Sequence, residues 1–263
     1  MIQITYVTVT YNAEAVLQRT LDSVLTQDYP GIVHLIIDGA STDGTLQLAE
    51  HYAERSDALG NGHRVQIVSE PDKGIYDAMN KGLRRLGGDY VCFLNAGDFL
   101  PAQDTASRIA EKVNAHCSMS KAQSPAVLYG DTDIVDGEGR FLHHRRLAPP
   151  EQLTWKSFRQ GMLVCHQAFY AHRDIAVATP YDLRYRYSAD VDWCIRVMKT
   201  AAKDHACLLN LHMVVANYTQ EGQTTLHHRE SLWERYRVME RHYGRVQTFL
   251  LHCWFAVRAL IGV

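Results

Sequence analysis

The sequence predicts an α/β protein built on a mostly parallel, Rossmann-like sheet with helices on both faces. Apolar, β-branched runs alternate with helical stripes through the first hundred residues. That order makes a parallel sheet with right-handed crossovers. In addition, two apolar runs end in acids: His34-Leu35-Ile36-Ile37-Asp38 and Val91-Cys92-Phe93-Leu94-Asn95-Ala96-Gly97-Asp98. A carboxylate beside a core strand is costly unless it is paired, solvated or bound to a metal. Two such acids imply one site at the strand ends, where open α/β sheets bind ligands.

The elements follow in order. Ile2–Thr10 reads as a strand, and Leu17, Leu21, Val24 and Leu25 form the next helical stripe. Ile32–Asp38 is a short buried strand, followed by a helix over Thr45–Arg55 and a strand over Val65–Ser69. Ile75, Ala78, Met79, Gly82, Leu83 and Leu86 make a helix closed by Gly87-Gly88, and Tyr90–Asn95 is the fourth strand. Beyond about residue 115 the pattern loosens. Val127–Asp136 and Phe141–Arg145 read as a hairpin, Pro149-Pro150 as a break, and Val191–Ala202 as a helix.

The chain has 263 residues, 46% hydrophobic and 21% charged, with a net charge of -2. These values suit one globular domain and give no electrostatic footprint for nucleic acid. The six cysteines form no C-x-x-C pair and read as reduced core thiols of a cytosolic protein. No charged region followed by an apolar one opens the chain, so no secretory signal is expected. The stretch Phe249–Val263 is apolar, is interrupted by His252 and Arg258, and follows Arg237, Arg241 and Arg245. Two readings fit it: a terminal helix packed on the core, or an interfacial helix on an anionic membrane.

Several chemistries lack their signatures. No G-x-G-x-x-G follows the first strand, and Gly39–Thr45 has the glycine spacing of a phosphate loop but no lysine. No G-x-S-x-G elbow occurs. The pairs His143-His144 and His227-His228 and the step Cys165-His166 lack zinc-ligand spacing and read as surface or supporting groups.

What remains resembles a known family. Val7-Thr8-Val9-Thr10-Tyr11-Asn12, Ile36-Ile37-Asp38-Gly39-Ala40-Ser41-Thr42-Asp43-Gly44-Thr45, Ser69-Glu70-Pro71-Asp72-Lys73-Gly74-Ile75-Tyr76-Asp77-Ala78-Met79-Asn80-Lys81-Gly82 and Phe93-Leu94-Asn95-Ala96-Gly97-Asp98 look like the ordered motifs of family 2 glycosyltransferases. The likeness is to bacterial enzymes of exopolysaccharide, O-antigen and colanic-acid synthesis. Weaker motifs follow at Tyr129-Gly130-Asp131, His166-Gln167-Ala168 and Tyr187-Ser188-Ala189-Asp190. The resemblance implies a GT-A fold, a nucleotide-sugar donor, a divalent cation (Mg²⁺ or Mn²⁺) and an inverting mechanism. It divides the chain into a nucleotide-sugar half (1–115), a smaller acceptor and catalytic-base half (116–245) and the apolar, basic C-terminal helix (246–263). Lipid-linked saccharide acceptors, typical of the class, would place the protein peripherally on the cytoplasmic face of the inner membrane.

The resemblance also implies roles. Thr10, Tyr11, Asn12 and Asp38 would hold the nucleoside, with Tyr11 over the base and Asp38 accepting a uracil imide. As a turn or capping acid, Asp43 fits better than Asp38. Lys73 would meet the diphosphate, and Asp77 and Asn95 the donor, although Asp77 and Lys81 also read as an i,i+4 pair. Asp98 would bind the metal; where relatives carry further acids, this chain has Asn95 and Gly97. Asp190 would be the base, with Ala189 where relatives carry Glu. Asp192, four residues before Arg196, reads as a helix-surface ion pair. Asp131 and His166 would face the acceptor, and Gln220–Thr225 resembles a closing loop with its paired glycines reduced to Gly222. A nucleotidyltransferase would carry a Gly-rich basic loop after strand one, whereas this chain has Thr10-Tyr11-Asn12-Ala13-Glu14. A catalytically inactive nucleotide-sugar-binding module is the other alternative, motivated by the missing acids at positions 95 and 97.

Overall fold

The computed structural model describes residues 1–120, 124–220 and 228–260. Strands β1 (Ile4–Thr10) and β2 (Ile32–Asp38) are buried along their whole length, as continuous apolar strands covered on both faces must be. Side chains alternate across the sheet, so Ile36 joins one core while Leu35 and Ile37 join the other. On the first face, α1 (Glu14–Leu25) and α2 (Thr45–Leu59) pack through Leu17, Leu21, Leu25, Ala49 and Tyr52. On the second, α3 (Ile75–Leu83) contributes Met79 and Leu83.

β2 is flanked by β1 and β3 (Arg64–Ser69), and β1 by β2 and β4 (Tyr90–Phe93); all these pairings are parallel. The sheet then continues with the second half of the chain. β4 pairs antiparallel with β7 (Phe169–His172), which pairs antiparallel with β5 (Val127–Val135). β5 is edged by β6 (Phe141–His144) in the expected hairpin and by β8 (Leu208–Thr219) in parallel. The order is β3-β2-β1-β4-β7-β5-β6, with β8 on β5. Helices α4 (Thr105–Ser120), α5 (Arg173–Ala178) and α6 (Ala189–Lys203) connect and cover these strands.

Register sets where the site can form. Thr10 lies opposite Asp38, and Asp38 opposite Ser69, so three strands end level. A buried histidine fixes their spacing from below. The Thr8 hydroxyl donates to the Leu94 carbonyl at 2.8 Å, so His34 Nε2 donates to Thr8 Oγ1 at 2.9 Å and Tyr52 donates to Nδ1 at 2.7 Å. Burial pushes the His34 pKa down to about 3, so the ring stays neutral.

Two C-terminal helices, α7 (His228–Tyr243) and α8 (Arg245–Leu260), close the molecule. Here the structure corrects a sequence expectation. Asp192 is not on a surface: its side chain is fully buried. Its carboxylate accepts from Arg196 Nε at 2.6 Å and from His242 Nε2 of α7 at 2.7 Å. Lys199 Nζ lies 3.0 Å from the other ring nitrogen of His242. The i,i+4 pair with Arg196 is real, but it is half of a lock between α6 and α7. The cysteines also differ in part from expectation: all six are free, yet Cys207 and Cys253 are exposed.

Removing one partner of a buried ion pair leaves the other uncompensated. Asp192→Asn should therefore lower the unfolding free energy by about 3 kcal/mol. Urea denaturation of the variant checks this; a wild-type midpoint would mean that the lock contributes nothing.

Candidate active site

Four strand-end loops converge. Asp38 is fully buried, and each of its carboxylate oxygens accepts two hydrogen bonds. Oδ1 takes the hydroxyls of Thr10 (3.1 Å) and Ser41; Oδ2 takes Ser41 N–H (3.0 Å) and the Ser69 hydroxyl (2.7 Å). Burial raises its pKa, but the hydroxyls of Ser41 and Ser69 and the remaining donors outweigh this, and the carboxyl sits below its ordinary value. Asp38 is thus a tie between the ends of β1, β2 and β3. Asp43 takes the capping role read for it, accepting Thr45 N–H at 3.0 Å at the start of α2.

Asn12 has a positive φ of 48° and accepts Thr42 N–H at 2.9 Å, locking the β1 and β2 loops together. Beside them Tyr11 is 66% exposed, an open aromatic face. Gly39 permits this arrangement, because a Cβ there would collide with the Asp72 carboxylate and lie 3.3 Å from the Tyr11 ring. Asp77 does not pair with Lys81. It accepts the backbone N–H of Lys73 at 3.0 Å, while the buried Lys81 ammonium donates to the carbonyls of Glu70 and Pro71. The Lys73 residue itself is exposed.

The fourth loop, after β4, was expected to hold a cation. Asp98 is only 5% exposed. Its Oδ1 accepts Thr219 N–H at 2.9 Å and its Oδ2 accepts Gln167 Nε2 at 2.6 Å. Phe99 and Asn217 bridge the same loop to β8. Positions 95 and 97 supply no acid, and Asn95 Oδ1 is a single buried acceptor without a partner. No group of three His, Cys, Asp or Glu suited to a metal occurs among the described residues. A divalent cation at a nucleotide site takes one or two open carboxylates beside substrate phosphates and waters. These residues do not fit that need: the acid kept at position 98 fastens the loop to β8 and to the turn after Cys165.

The second half brings a different acid to the cleft. Asp190 stands in the first turn of α6, its side chain 16% exposed. Tyr76 donates its hydroxyl to Asp190 Oδ1 at 3.2 Å, and His166 Nδ1 is 3.3 Å from Oδ2. A carboxylate only accepts, so Nδ1 carries a proton, and Nε2 lies 3.0 Å from the Asn95 side-chain amide. Burial raises the Asp190 pKa. The His166 hydrogen bond and charge, the Arg235 charge and Val191 N–H outweigh it, and the carboxyl lies below its ordinary value. Asp190 is therefore ionised at neutral pH.

The turn before α6 is held by α7. Glu234 accepts the backbone N–H groups of Arg186, Tyr187 and Ser188 at 2.8, 2.7 and 3.1 Å. Tyr76 and Glu234 are therefore site-building residues that the sequence reading did not single out. Tyr76 stands inside the third motif but outside the apolar stripe of its helix, and nothing in a polar helix links Glu234 to residue 188.

The other acceptor-side expectations divide. His166 joins Asn95 to Asp190. Asp131 instead lies among Asp133, His144 and His212; burial and then Asp133 raise its pKa. Tyr129 is buried, and its hydroxyl donates to backbone carbonyls. The expected closing loop lies, after Gln220, outside the described residues, as does His227.

The strain of burying Asp98 has a pH signature. Its pKa is pushed up to about 6, because burial outweighs the donors Thr219 and Gln167 and the charge of His166. A raised carboxyl contributes stability below its ordinary pKa and loses it as pH rises through about 6. Asp98→Asn cannot ionise, so its stability relative to wild type should rise between about pH 4 and pH 6, by about 3 kcal/mol at most. Thermal unfolding of both proteins across that range tests this, and a pH-independent difference would refute it.

Comparison with known proteins identifies the family. The family profile "Glycosyl transferase family 2" matches residues 5–177. A PGL/p-HBAD biosynthesis glycosyltransferase of Mycobacterium bovis is 33% identical over 214 residues, 81% of this chain and 75% of the relative. An uncharacterized glycosyltransferase of Mycobacterium tuberculosis is 30% identical over 73% of this chain and 68% of its own. Among solved structures, S. aureus TarS 1-349 in complex with UDP-GlcNAc superposes with a TM-score of 0.69 at 18% identity, over 90% of this chain and 64% of that one. The mannosyltransferase PcManGT of Pyrobaculum calidifontis, in complex with GDP-Man and Mn²⁺, gives 0.58 at 16% identity over 100% of this chain and 76% of its own. The chain spans just under two thirds of the TarS fragment. A family profile covering residues 5–177 and a sheet of this order lead to one conclusion: the chain belongs to glycosyl transferase family 2 and is a glycosyltransferase with the GT-A fold.

Proposed function

We propose that this glycosyltransferase inverts: it moves a sugar from a nucleoside diphosphate sugar, with a UDP-sugar as the first candidate, to a lipid-linked or oligosaccharide acceptor in bacterial surface polysaccharide synthesis. The observation that carries the reading is Asp190, an ionised, partly exposed carboxylate oriented by Tyr76 and His166 beside the strand-end loops. An inverting displacement needs a base and no protein nucleophile. Asp190 would accept the acceptor's hydroxyl proton as its oxygen bonds to the anomeric carbon. The bond from that carbon to the diphosphate oxygen breaks on the opposite face, and the nucleoside diphosphate departs. Tyr11 would cover the base, Asn12 and Thr10 would shape the nucleoside slot that Asp38 fastens, and Lys73 and Asp77 would stand at the diphosphate rim. The structures with TarS and PcManGT name UDP-GlcNAc and GDP-Man, which supports the donor class.

Asp190→Asn keeps shape and removes the proton acceptor. Transfer should fall by roughly 10²–10⁴-fold with donor affinity unchanged. Rate and nucleotide affinity measured together decide the matter; an Asn variant with normal turnover would place the base elsewhere.

We further propose that α7 and α8 seat the protein on an anionic membrane where a lipid-linked acceptor lies. Trp233, Val246, Phe249, Leu250 and Trp254 are all exposed, Val246 by 75%. Arg237 lies over the Trp233 ring at 5.7 Å, and Arg245 starts α8. No described helix is long and apolar enough to cross a membrane. An apolar face with basic neighbours favours lying in the interface. Sedimentation with phosphatidylglycerol vesicles should capture the protein, and Trp233→Ser with Phe249→Ser and Leu250→Ser should release it. Equal recovery with purely zwitterionic vesicles, or capture of the triple variant, would overturn this.

A further inference from the structure

The face of α7 that meets α6 has an ordered job along its length. The Ser231 carbonyl accepts from the Ser188 hydroxyl at 3.2 Å, Glu234 holds the turn at 186–188, and His242 reaches Asp192. Arg235 stands on this face, one turn after Ser231 and just ahead of the buried Val238. Several other guanidinium groups of this half of the chain are engaged. Arg196 serves Asp192 and the Pro180 carbonyl, and Arg241 and Arg184 serve Asp182. Arg145 donates to the carbonyls of Leu147, Met162 and Leu163. Arg235 has no hydrogen bond or ion pair among the described residues, and its Nε is buried without a partner. A buried donor left unpaired in a cleft calls for an explanation, and an ion or ligand is one.

The local charge points to what is missing. Arg235 and Arg145 lie within electrostatic reach of each other. The carbonyls that hold Arg145 satisfy its donors without cancelling its charge. The carboxylate near Arg235 is Asp190, already bound by Tyr76 and His166. Within reach of Arg235 are thus a carboxylate already committed and a second guanidinium held only by neutral carbonyls, an arrangement short of an anion. Across the cleft, the β4 loop offers no acid free to hold a cation against a diphosphate. A guanidinium fork matches phosphate oxygens geometrically and is always charged.

We propose that Arg235 is a phosphate-binding group of the donor site, and that its guanidinium takes the charge developing on the departing diphosphate where an open acidic motif would have placed a metal. The proposal rests on the donor class assigned above. It places a donor contact on α7, beyond the segment matched by the family profile.

The test is calorimetric binding of UDP, GDP, inorganic pyrophosphate and uridine to the full chain in EDTA, for wild type, Arg235→Gln and Arg235→Lys. Thermal unfolding shows whether each variant is folded. Wild type should bind a nucleoside diphosphate and pyrophosphate without metal. Arg235→Gln should weaken both by roughly 10–100-fold, the range of a charge-assisted hydrogen bond, and leave uridine unaffected; the lysine variant should recover part of the loss. Unchanged UDP, GDP and pyrophosphate binding in a folded Arg235→Gln overturns the proposal. So does wild-type nucleotide binding that vanishes in EDTA and returns with Mn²⁺ whatever stands at position 235. A loss confined to the KM of a lipid-linked acceptor, with donor binding intact, also overturns it. If pyrophosphate binding depends on Arg235 but no nucleotide binds, the anion site stands and the donor reading fails.

Discussion

A carboxylate with no access to solvent holds the first half of the sheet together. Asp38 ends β2, and its four hydrogen bonds come from the ends of β1, β2 and β3. A buried charge survives only when its lone pairs are filled, and here hydroxyls and a backbone amide fill them. The consequence is geometric. With the strand ends level, the loops leaving them must share one rim, and Tyr11, Gly39 and Asp72 meet there. At position 39 a Cβ would displace the Asp72 carboxylate and press on the Tyr11 ring, so glycine keeps these groups together.

The second half of the chain reaches this rim by extending the same sheet rather than by docking a separate one. β7 and β5 continue past β4 with reversed direction, and β8 then runs back to the loop after β4. Asp98 is the seam: its carboxylate joins the β4 loop to Thr219 of β8 and to Gln167. The chain neighbour of Gln167, His166, then spans from Asn95 to Asp190. His166 thus carries the seam's position to Asp190, and a shift of the loop at 95–98 would be felt there through two hydrogen bonds.

The parts of this arrangement that were legible in the sequence are those with local signals. Strands β1 to β4 and helices α1 to α3 announce themselves by periodicity, and the strand-end acids announce a site. Asp190 stands out in the sequence only through the likeness of its motif to the family's. The elements that escaped are short or mixed in polarity: β7 has four residues, β8 carries Asn210, His212 and Asn217, and α7 is rich in arginine and glutamate. Their burial comes from partners far away in the chain, which no local pattern encodes. The misread residues share that cause. Asp192 and Arg196 are spaced like a surface pair, and only His242, fifty residues on, makes their surroundings a core. Asp98 looked like a ligand because an acid after a buried strand needs a partner; the partners turned out to be an amide side chain and a backbone N–H.

One tension in the site resolves through the same physics. A base at a helix N-terminus is weakened by the helix dipole and by every donor it accepts from. Asp190 accepts from Tyr76 and His166 and sits near Arg235, so in the free protein it is a stable anion and a modest base. If Arg235 engages the donor's diphosphate, its charge is no longer spent on Asp190, and the diphosphate adds negative charge of its own to the cleft. Both changes raise the carboxylate's affinity for a proton. The base would then become strongest once a donor is in place, and an acceptor hydroxyl would meet a competent proton acceptor at the moment when its oxygen has a sugar carbon to attack.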